Sequence, residues 1–409
     1  MKETEATEIA AASEAAPLTP SEEDRFDAGT VLSLSAAHLT NDMYGSFIGI
    51  LLPLLIAKHN LTMAAAGILA TLPRWPGIAM PFLGYLADRY DSRVFVIWGP
   101  TVTALTVSSI GLAPNYATMV VLLLVYGFAT ASFHPGAASM ATLASGRAWG
   151  KGTSYFMTGG ELSRTIGPPF IVAVVSIFSL EGAWIAALPA VVVSLYNYRR
   201  IGGRSSRLPA RPAPAGLLKA VKAAYRPLIL LVGVVTFRSL VISAFQIYYA
   251  TFLTNSGATL IYAGLALAVY EAGGVIGAFA GGPVSDRFGR RSIMAVSQAL
   301  AGPLLFGALA WSQHPLGLVA VFLGGLLALS AGPVQLAMAQ ELLPGNRSVA
   351  SGITMFLSFE GTIFATLFIG FTADAMGLQG ALGWSVLISM LSLPFTLLLP
   401  ETRSAISSH

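Results

Sequence analysis

Nine ionisable side chains lie inside long apolar runs of this 409-residue chain: His38, Asp42, Arg74, His134, Glu161, Arg164, Arg238, Glu271 and Glu360. Four acids and three arginines facing hydrocarbon would cost about 2.5–3.5 kcal/mol each, about 20 kcal/mol together, so they must face protein or water. Asp42, Arg74, Arg238, Glu271 and Glu360 fall near the middle of their runs, the depth expected of a solute and coupling-ion site.

His38 and Asp42 are four residues apart and share a helix face, where a carboxylate beside an imidazole can hold a proton tuned by burial and by nearby arginine. Two readings stay open: Asp42 as a proton-coupling carboxylate modulated by His38, or a polar pair bracing the helix. Glu271, Glu360 and Glu161 are the other proton-carrier candidates. Glu161 and Arg164, three apart, can instead neutralise one another. Arg74 and Arg238 stay charged and present forked donors suited to carboxylate or phosphonate, which makes them substrate-binding candidates. His134, Arg164, Tyr44 and Tyr270 are further candidates for the same pocket. Arg74 and Glu271 are separated by 271 − 74 = 197 residues, close to the internal repeat described below, and are expected to pair between the two halves. His134 precedes Pro135, so it is read either as a hydrogen-bonded histidine at a proline kink or as a proton relay.

Several chemistries are disfavoured. There is no cysteine, hence no thiol nucleophile or cysteine-held metal, and the five histidines show no H-E-x-x-H or similar spacing. No metal or cofactor is assigned. No G-x-x-x-x-G-K-[ST] run offers a phosphate loop of that type, and no nucleophile-base-metal set suggests an enzyme. The net charge of +4 is spread over connections and forms no single basic face for nucleic acid.

The elements that position these groups are membrane-spanning helices. Charged residues make up 10% of the chain and apolar ones 55%, against roughly 25% and 45–50% in soluble domains. Apolar runs between charged or Gly/Pro-rich breaks predict twelve spans, near 29–57, 64–87, 94–113, 117–143, 151–178, 183–199, 227–254, 260–283, 292–311, 316–341, 348–373 and 381–400. Residues 1–27, with eight acids and two basic residues, read as a solvated acidic tail and not as a cleavable signal. Residues 28–200 form one six-helix half and 226–402 the other, with a basic connection at 201–225 and a tail at 403–409. With both termini cytoplasmic, 19 of the 23 Lys and Arg residues lie inside, only Lys58 lies outside and three are intramembrane. The expected location is the plasma (inner) membrane. The basic connection can bind anionic lipid headgroups or serve only as a topology signal.

The halves are copies. Gly84-Tyr-Leu-Ala-Asp88-Arg89-Tyr-Asp91-Ser-Arg93 recurs as Gly282-Pro-Val-Ser-Asp286-Arg287-Phe-Gly289-Arg-Arg291, a displacement of 282 − 84 = 198. Pro135 and Pro333 keep the same offset, and Glu161 and Glu360 are 199 apart. This doubled pattern after the second and eighth spans resembles the signature of the major facilitator superfamily. A narrower resemblance, to the fosmidomycin resistance protein group of drug exporters, rests on three segments. These are His38-Leu-Thr-Asn41-Asp42-Met43, Phe133-His134-Pro135, and Gly159-Gly160 leading to Ile166-Gly167-Pro168. In that group the second segment usually continues with glutamate, where this chain has Gly136. Phe170 and Ile171 stand near the place where the superfamily's antiporter motif ends in glycines.

The resemblance implies an all-α membrane protein of twelve transmembrane helices in two six-helix parallel repeats, with spans 3, 6, 9 and 12 as outer supports. It implies proton-coupled transport of a small molecule by alternating access, as an exporter (antiporter) of an amphipathic or anionic compound. The repeated hairpins would latch the cytoplasmic gate through Asp88 and Asp286 paired with Arg89, Arg93, Arg287 or Arg291, with Gly84 and Gly282 as further gating residues. Proton-coupled uptake of an organic anion and a non-transporting receptor are the alternatives, and a single chain suffices for the architecture.

Overall fold

The computed structural model describes residues 26–79, 91–203, 222, 224–343 and 347–402. Among them every regular element is helical. The first half comprises α1 (Ala28–Met43), α2 (Phe47–His59), α3 (Met63–Thr71), α4 (Arg93–Ser108), α5 (Tyr116–Ala144), α6 (Trp149–Phe178) and α7 (Leu188–Ile201). The second comprises α8 (Tyr225–Ser243), α9 (Tyr249–Asn255), α10 (Leu260–Phe288), α11 (Arg290–Ala310), α12 (Pro315–Leu342), α13 (Arg347–Met376), α14 (Leu378–Ser389) and α15 (Ser392–Leu398).

Ten described helical stretches are long and apolar enough to cross a membrane, α1–α2, α8–α9 and α14–α15 each counting as one. The second and sixth expected spans are interrupted. Leu72-Pro73-Arg74-Trp75-Pro76 tightens into a 3₁₀ segment over Leu72–Ala79, and Glu181–Ala187 does the same before α7. In the first of these Pro73 and Pro76, within four residues, lack the N–H groups that α-type bonds need. Local chemistry fixes other boundaries: Asp27, Thr62, Asn115 and Thr259 cap α1, α3, α5 and α10 with side-chain oxygens.

The core is divided unevenly. Near the face opposite the chain termini a single apolar cluster joins both halves, from Phe47, Leu51 and Leu69 to Tyr248, Phe252 and Ile369. Towards the terminal face each half has its own cluster, Leu34, Phe133 and Met140 in the first and Leu231, Met294 and Met338 in the second. Among the described residues the halves thus share packing at one end and part at the other, which leaves the mid-membrane ionisable groups at the base of the separation.

The second copy of the repeated hairpin is described in full. Gly289 between α10 and α11 has φ +100°, a left-handed conformation that a side chain would strain. Asp286 pairs with Arg290 at 2.5 Å, and not with Arg287 or Arg291 as the sequence suggested. Arg290 also meets Glu341 at 2.9 Å, while Glu401 accepts from the backbone N–H groups of Arg290 and Arg291 at 2.7 and 3.2 Å. These bonds all lie within the second half. In the first copy Arg93 pairs with Asp91 at 3.0 Å and donates to Gly202 O at 2.8 Å. Gly84, Asp88 and Arg89 lie outside the described residues, as do the tail before Phe26 and the basic connection over 204–221.

Candidate functional site

Two groups of polar residues sit within the helices long and apolar enough to cross a membrane. The first belongs wholly to the first half. α1 presents His38 and Asp42 one turn apart, with His38 Nε2 3.1 Å from Asp42 Oδ2. α5 brings His134 Nε2 to 3.2 Å from Asp42 Oδ1 and 3.4 Å from Oδ2. Each imidazole is anchored at its other nitrogen, His38 Nδ1 to Phe156 O and His134 Nδ1 to Thr130 O, both at 2.8 Å. Asn41 donates to Asp42 Oδ1 at 2.9 Å and accepts from Thr103 Oγ1 at 3.1 Å. Gly159 and Gly160 make this approach possible. A Cβ on Gly160 would stand 2.6 Å from His38 Cε1, and one on Gly159 2.3 Å from Ser35 O.

The second group joins the halves. Arg164 on α6 stands 3.5 Å from Glu161 on its own helix and 3.5 Å from Glu271 on α10. Glu271 is buried and also accepts from Gln246 Nε2 at 2.8 Å. Gln246 lies in a π-helical turn, Ala244–Tyr248, between α8 and α9; such one-turn distortions often accompany functional positions.

Several expected assignments change. Glu271 pairs with Arg164, because α6 packs directly on α10, and not with Arg74. Arg74 donates to Ala70 O at 3.3 Å and has no acid partner among the described residues. Arg238 turns into its own half, donating to Ala328 O at 2.8 Å and Gln335 Oε1 at 2.9 Å beside a small cavity lined by Ser297, Gln298, Ser389 and Ser392. Tyr44 is fully buried with its hydroxyl on Ala186 O, and Tyr270 is fully buried against Phe245. In this arrangement neither tyrosine offers surface to a ligand. Glu360 on α13 is half-buried, and its Oε1 is enclosed without a hydrogen-bond partner.

Sequence reasoning placed His134 in a substrate pocket or at a kink and did not join it to Asp42. The α1 pair is visible as an i,i+4 spacing, but the third member comes from a helix 92 residues away. Asp374 was also missed. Near the end of α13 it accepts from the backbone N–H groups of Met63 at 2.7 Å and Ala64 at 3.0 Å, the first turn of α3 in the other half. Its position one turn before Gly377, which ends the helix with φ +81°, was the available signal.

Comparison with known proteins bears on the whole arrangement. The chain is 27% identical over 391 residues to the fosmidomycin resistance protein of Escherichia coli (strain K12), covering 93% of this chain and 94% of that protein. It is 25% identical over 357 residues to the uncharacterized MFS-type transporter YfnC of Bacillus subtilis (strain 168), covering 85% and 87%. In fold it is similar to a bacterial homolog of the human lysosomal transporter Spinster in an inward-facing, unoccupied conformation. The TM-score is 0.76 at 16% identity, over 93% of this chain and 98% of that one. A D-xylose-proton symporter shares the fold with a TM-score of 0.68 at 16% identity, over 91% and 98%. The family described as Major Facilitator Superfamily matches residues 34–256 and again 234–408, one match for each half. With the duplicated hairpin, the two helical halves and these matches in agreement, the chain belongs to the major facilitator superfamily.

Proposed function

We propose that this transporter is a proton-coupled exporter of a small anionic or amphipathic compound, working by alternating access with both termini on the cytoplasmic side. The observation that carries the coupling is the position of Arg164 between Glu161 of its own helix and Glu271 of the other half. An ionised Glu271 draws Arg164 across the interface. A proton on Glu271 removes that attraction and leaves Arg164 with Glu161, so the charge of one carboxylate alters a bond between the halves. Asp42 pairs with two histidines of its own half, whereas Glu271 meets a cation of the other half directly, so the coupling role passes to Glu271. Arg74, without an acid partner among the described residues, is the cation proposed to receive an anionic group of the cargo.

The direction of transport follows the likeness to a protein named for fosmidomycin resistance, and the Lys and Arg distribution supports the orientation. Proton-coupled uptake of an organic anion is the second reading. Its support is that a proton on Glu271 leaves Arg164 with a single acid, Glu161, so that an incoming anion and the proton would load together. Flux in proteoliposomes separates the two: under an imposed pH gradient, cargo moving against the proton flow supports export, and cargo moving with it supports uptake. Flux of fosmidomycin and a panel of small organic anions that ignores the gradient would sink both.

A further inference from the structure

We propose that His38, Asp42 and His134 form a binding site for one first-row divalent cation, a site separate from the Glu271 coupling group. The argument begins with the proton positions on the two imidazoles. Each Nδ1 lies 2.8 Å from a backbone carbonyl oxygen, which can only accept, so each Nδ1 carries the hydrogen. In a neutral ring Nε2 then bears a lone pair, and both Nε2 atoms point at the carboxylate of Asp42. Three acceptors converge with nothing between them to bind. One added proton satisfies one imidazole and leaves the other lone pair against the carboxylate. Two added protons place two imidazolium rings with centroids 5.3 Å apart. A single divalent ion satisfies all three ligands together.

Two edges of the group match such an ion. Zinc-like metals hold nitrogen and oxygen ligands at about 2.0–2.1 Å, which makes the edges of a tetrahedral site about 3.3–3.4 Å. Asp42 Oδ2 stands 3.1 Å from His38 Nε2 and 3.4 Å from His134 Nε2, and the three ligand atoms lie within 4.8 Å of one another. His134 Nε2 also stands 3.2 Å from Oδ1, but Oδ1 is engaged by Asn41, whose amide is in turn held by Thr103, so Oδ2, in reach of both imidazoles, is the oxygen assigned to the ion. Carbonyl-anchored Nδ1 groups and a hydrogen-bonded carboxylate are the outer-sphere partners that orient metal ligands. Two imidazoles and one carboxylate suit zinc, cobalt or nickel better than magnesium or calcium. Asp42 and His134 keep about a quarter of their side-chain surface open while His38 is enclosed, so a further coordination position is open to solvent or solute.

The test uses the purified, untagged full chain in detergent, in a His409→Ala background that removes a terminal histidine, titrated with Co2+ and followed by its visible absorption, then displaced with Zn2+. The expected result is one equivalent of Co2+ bound, with affinity reduced at least ~10–100-fold in His134→Ala and in Asp42→Asn. Asn41→Ala, which touches no donor atom of the ion, should weaken binding by a similar factor through loss of carboxylate orientation. Size-exclusion profile and thermal transition establish that each variant is folded, and His134→Gln replaces His134→Ala if the latter is not. Absence of a Co2+ spectrum in the parent, or a spectrum unchanged in folded His134 and Asp42 variants, would overturn the proposal and leave protons as the occupants. Glu271→Gln should retain full Co2+ binding, so failure of the coupling scheme would not imitate failure of this site.

Discussion

The carboxylate of Asp374 in the second half accepts the backbone N–H of Met63, the first residue of α3 in the other half, at 2.7 Å. Its second oxygen takes the next amide, Ala64, at 3.0 Å. An anion at a helix N-terminus satisfies orphan donors and complements the helix dipole, and here the anion and the helix lie on opposite sides of the interface between halves. The bond sits at the end where the halves share a core, so it favours closure of that face.

Asp374→Asn is therefore expected to move the population towards conformers open on the face opposite the termini. Two charge-assisted hydrogen bonds at an exposed helix end are worth about 1–2 kcal/mol, a shift of about 5–30-fold in the conformational ratio. The chain has no cysteine, so pairs of single cysteines flanking the interface can carry spin labels without further substitution. Unchanged distance distributions in Asp374→Asn would remove the latch.

Glu271→Gln keeps the size and the hydrogen-bonding capacity of the side chain towards Gln246 but removes its charge. Cargo exchange down its own gradient should persist while pH-driven accumulation is lost. Glu161→Gln, which leaves Arg164 with Glu271 as its one remaining acid, should slow turnover and keep coupling. Equal loss of exchange and accumulation in Glu271→Gln would mean that the residue is structural.

Arg74→Ala should weaken binding of an anionic cargo by about 10–100-fold, the equivalent of one charge-assisted contact of about 1.5–3 kcal/mol. Arg74→Lys should recover part of this, because charge returns without the fork. Cargo dissociation constants from tryptophan quenching or calorimetry on folded protein provide the check. Wild-type affinity in Arg74→Ala would transfer the cargo contact elsewhere.

The twelve-span, two-half plan was legible because it is written in local patterns: apolar run length, duplicated Gly-x-x-x-Asp-Arg segments and the sidedness of Lys and Arg. The residues that can do chemistry were legible for a related reason, since charge inside an apolar run is conspicuous. Their partners were not. Arg164 was assigned to Glu161 by spacing on one helix, and its second partner, Glu271, depends on α6 packing against α10. Repeat symmetry misled in the same way, pointing Glu271 to Arg74 when the packing brings Arg164. Arg238 looked like a cavity residue by depth, but helix rotation, which apolar runs on all sides do not encode, turns it towards Gln335.

At the membrane surface Lys58 Nζ donates to Glu181 Oε1 at 2.6 Å and to Gly111 O at 2.7 Å, tying the α2 end to the connection before α7. The hydrogen bond from Lys58 holds the Glu181 carboxyl below the ordinary glutamate value. A carboxyl depressed on folding contributes stability that is present above its unfolded value of about 4.3 and is lost as pH falls through the lowered folded value. The thermal stability of the parent should therefore exceed that of Glu181→Gln at neutral pH, with the gap closing as the solution is acidified below about pH 4. The pair is exposed, so the gap should also shrink in high salt. A gap independent of both would assign Glu181 a packing role.

Gly160→Ala adds one methyl group to a helix face that has no room for it. The new Cβ would lie 2.6 Å from His38 Cε1 and 2.7 Å from Nε2, in a ring that is enclosed, stacked on Phe156 at 4.2 Å and tied to Phe156 O. The ring cannot rotate away without breaking that hydrogen bond, so α6 must back off from α1. Overpacking of this kind costs about 1–3 kcal/mol. The expected outcome is a lower thermal transition together with weakened Co2+ binding, because displacing His38 separates its Nε2 from Asp42 Oδ2. Gly152→Ala on the same helix is a useful contrast, since its Cβ would clash with the Ser145 side chain, only touch Phe26 and leave the His38 pocket untouched. If Gly152→Ala weakens Co2+ binding as much as Gly160→Ala does, the two-glycine approach at 159–160 is not what sets the histidine in place.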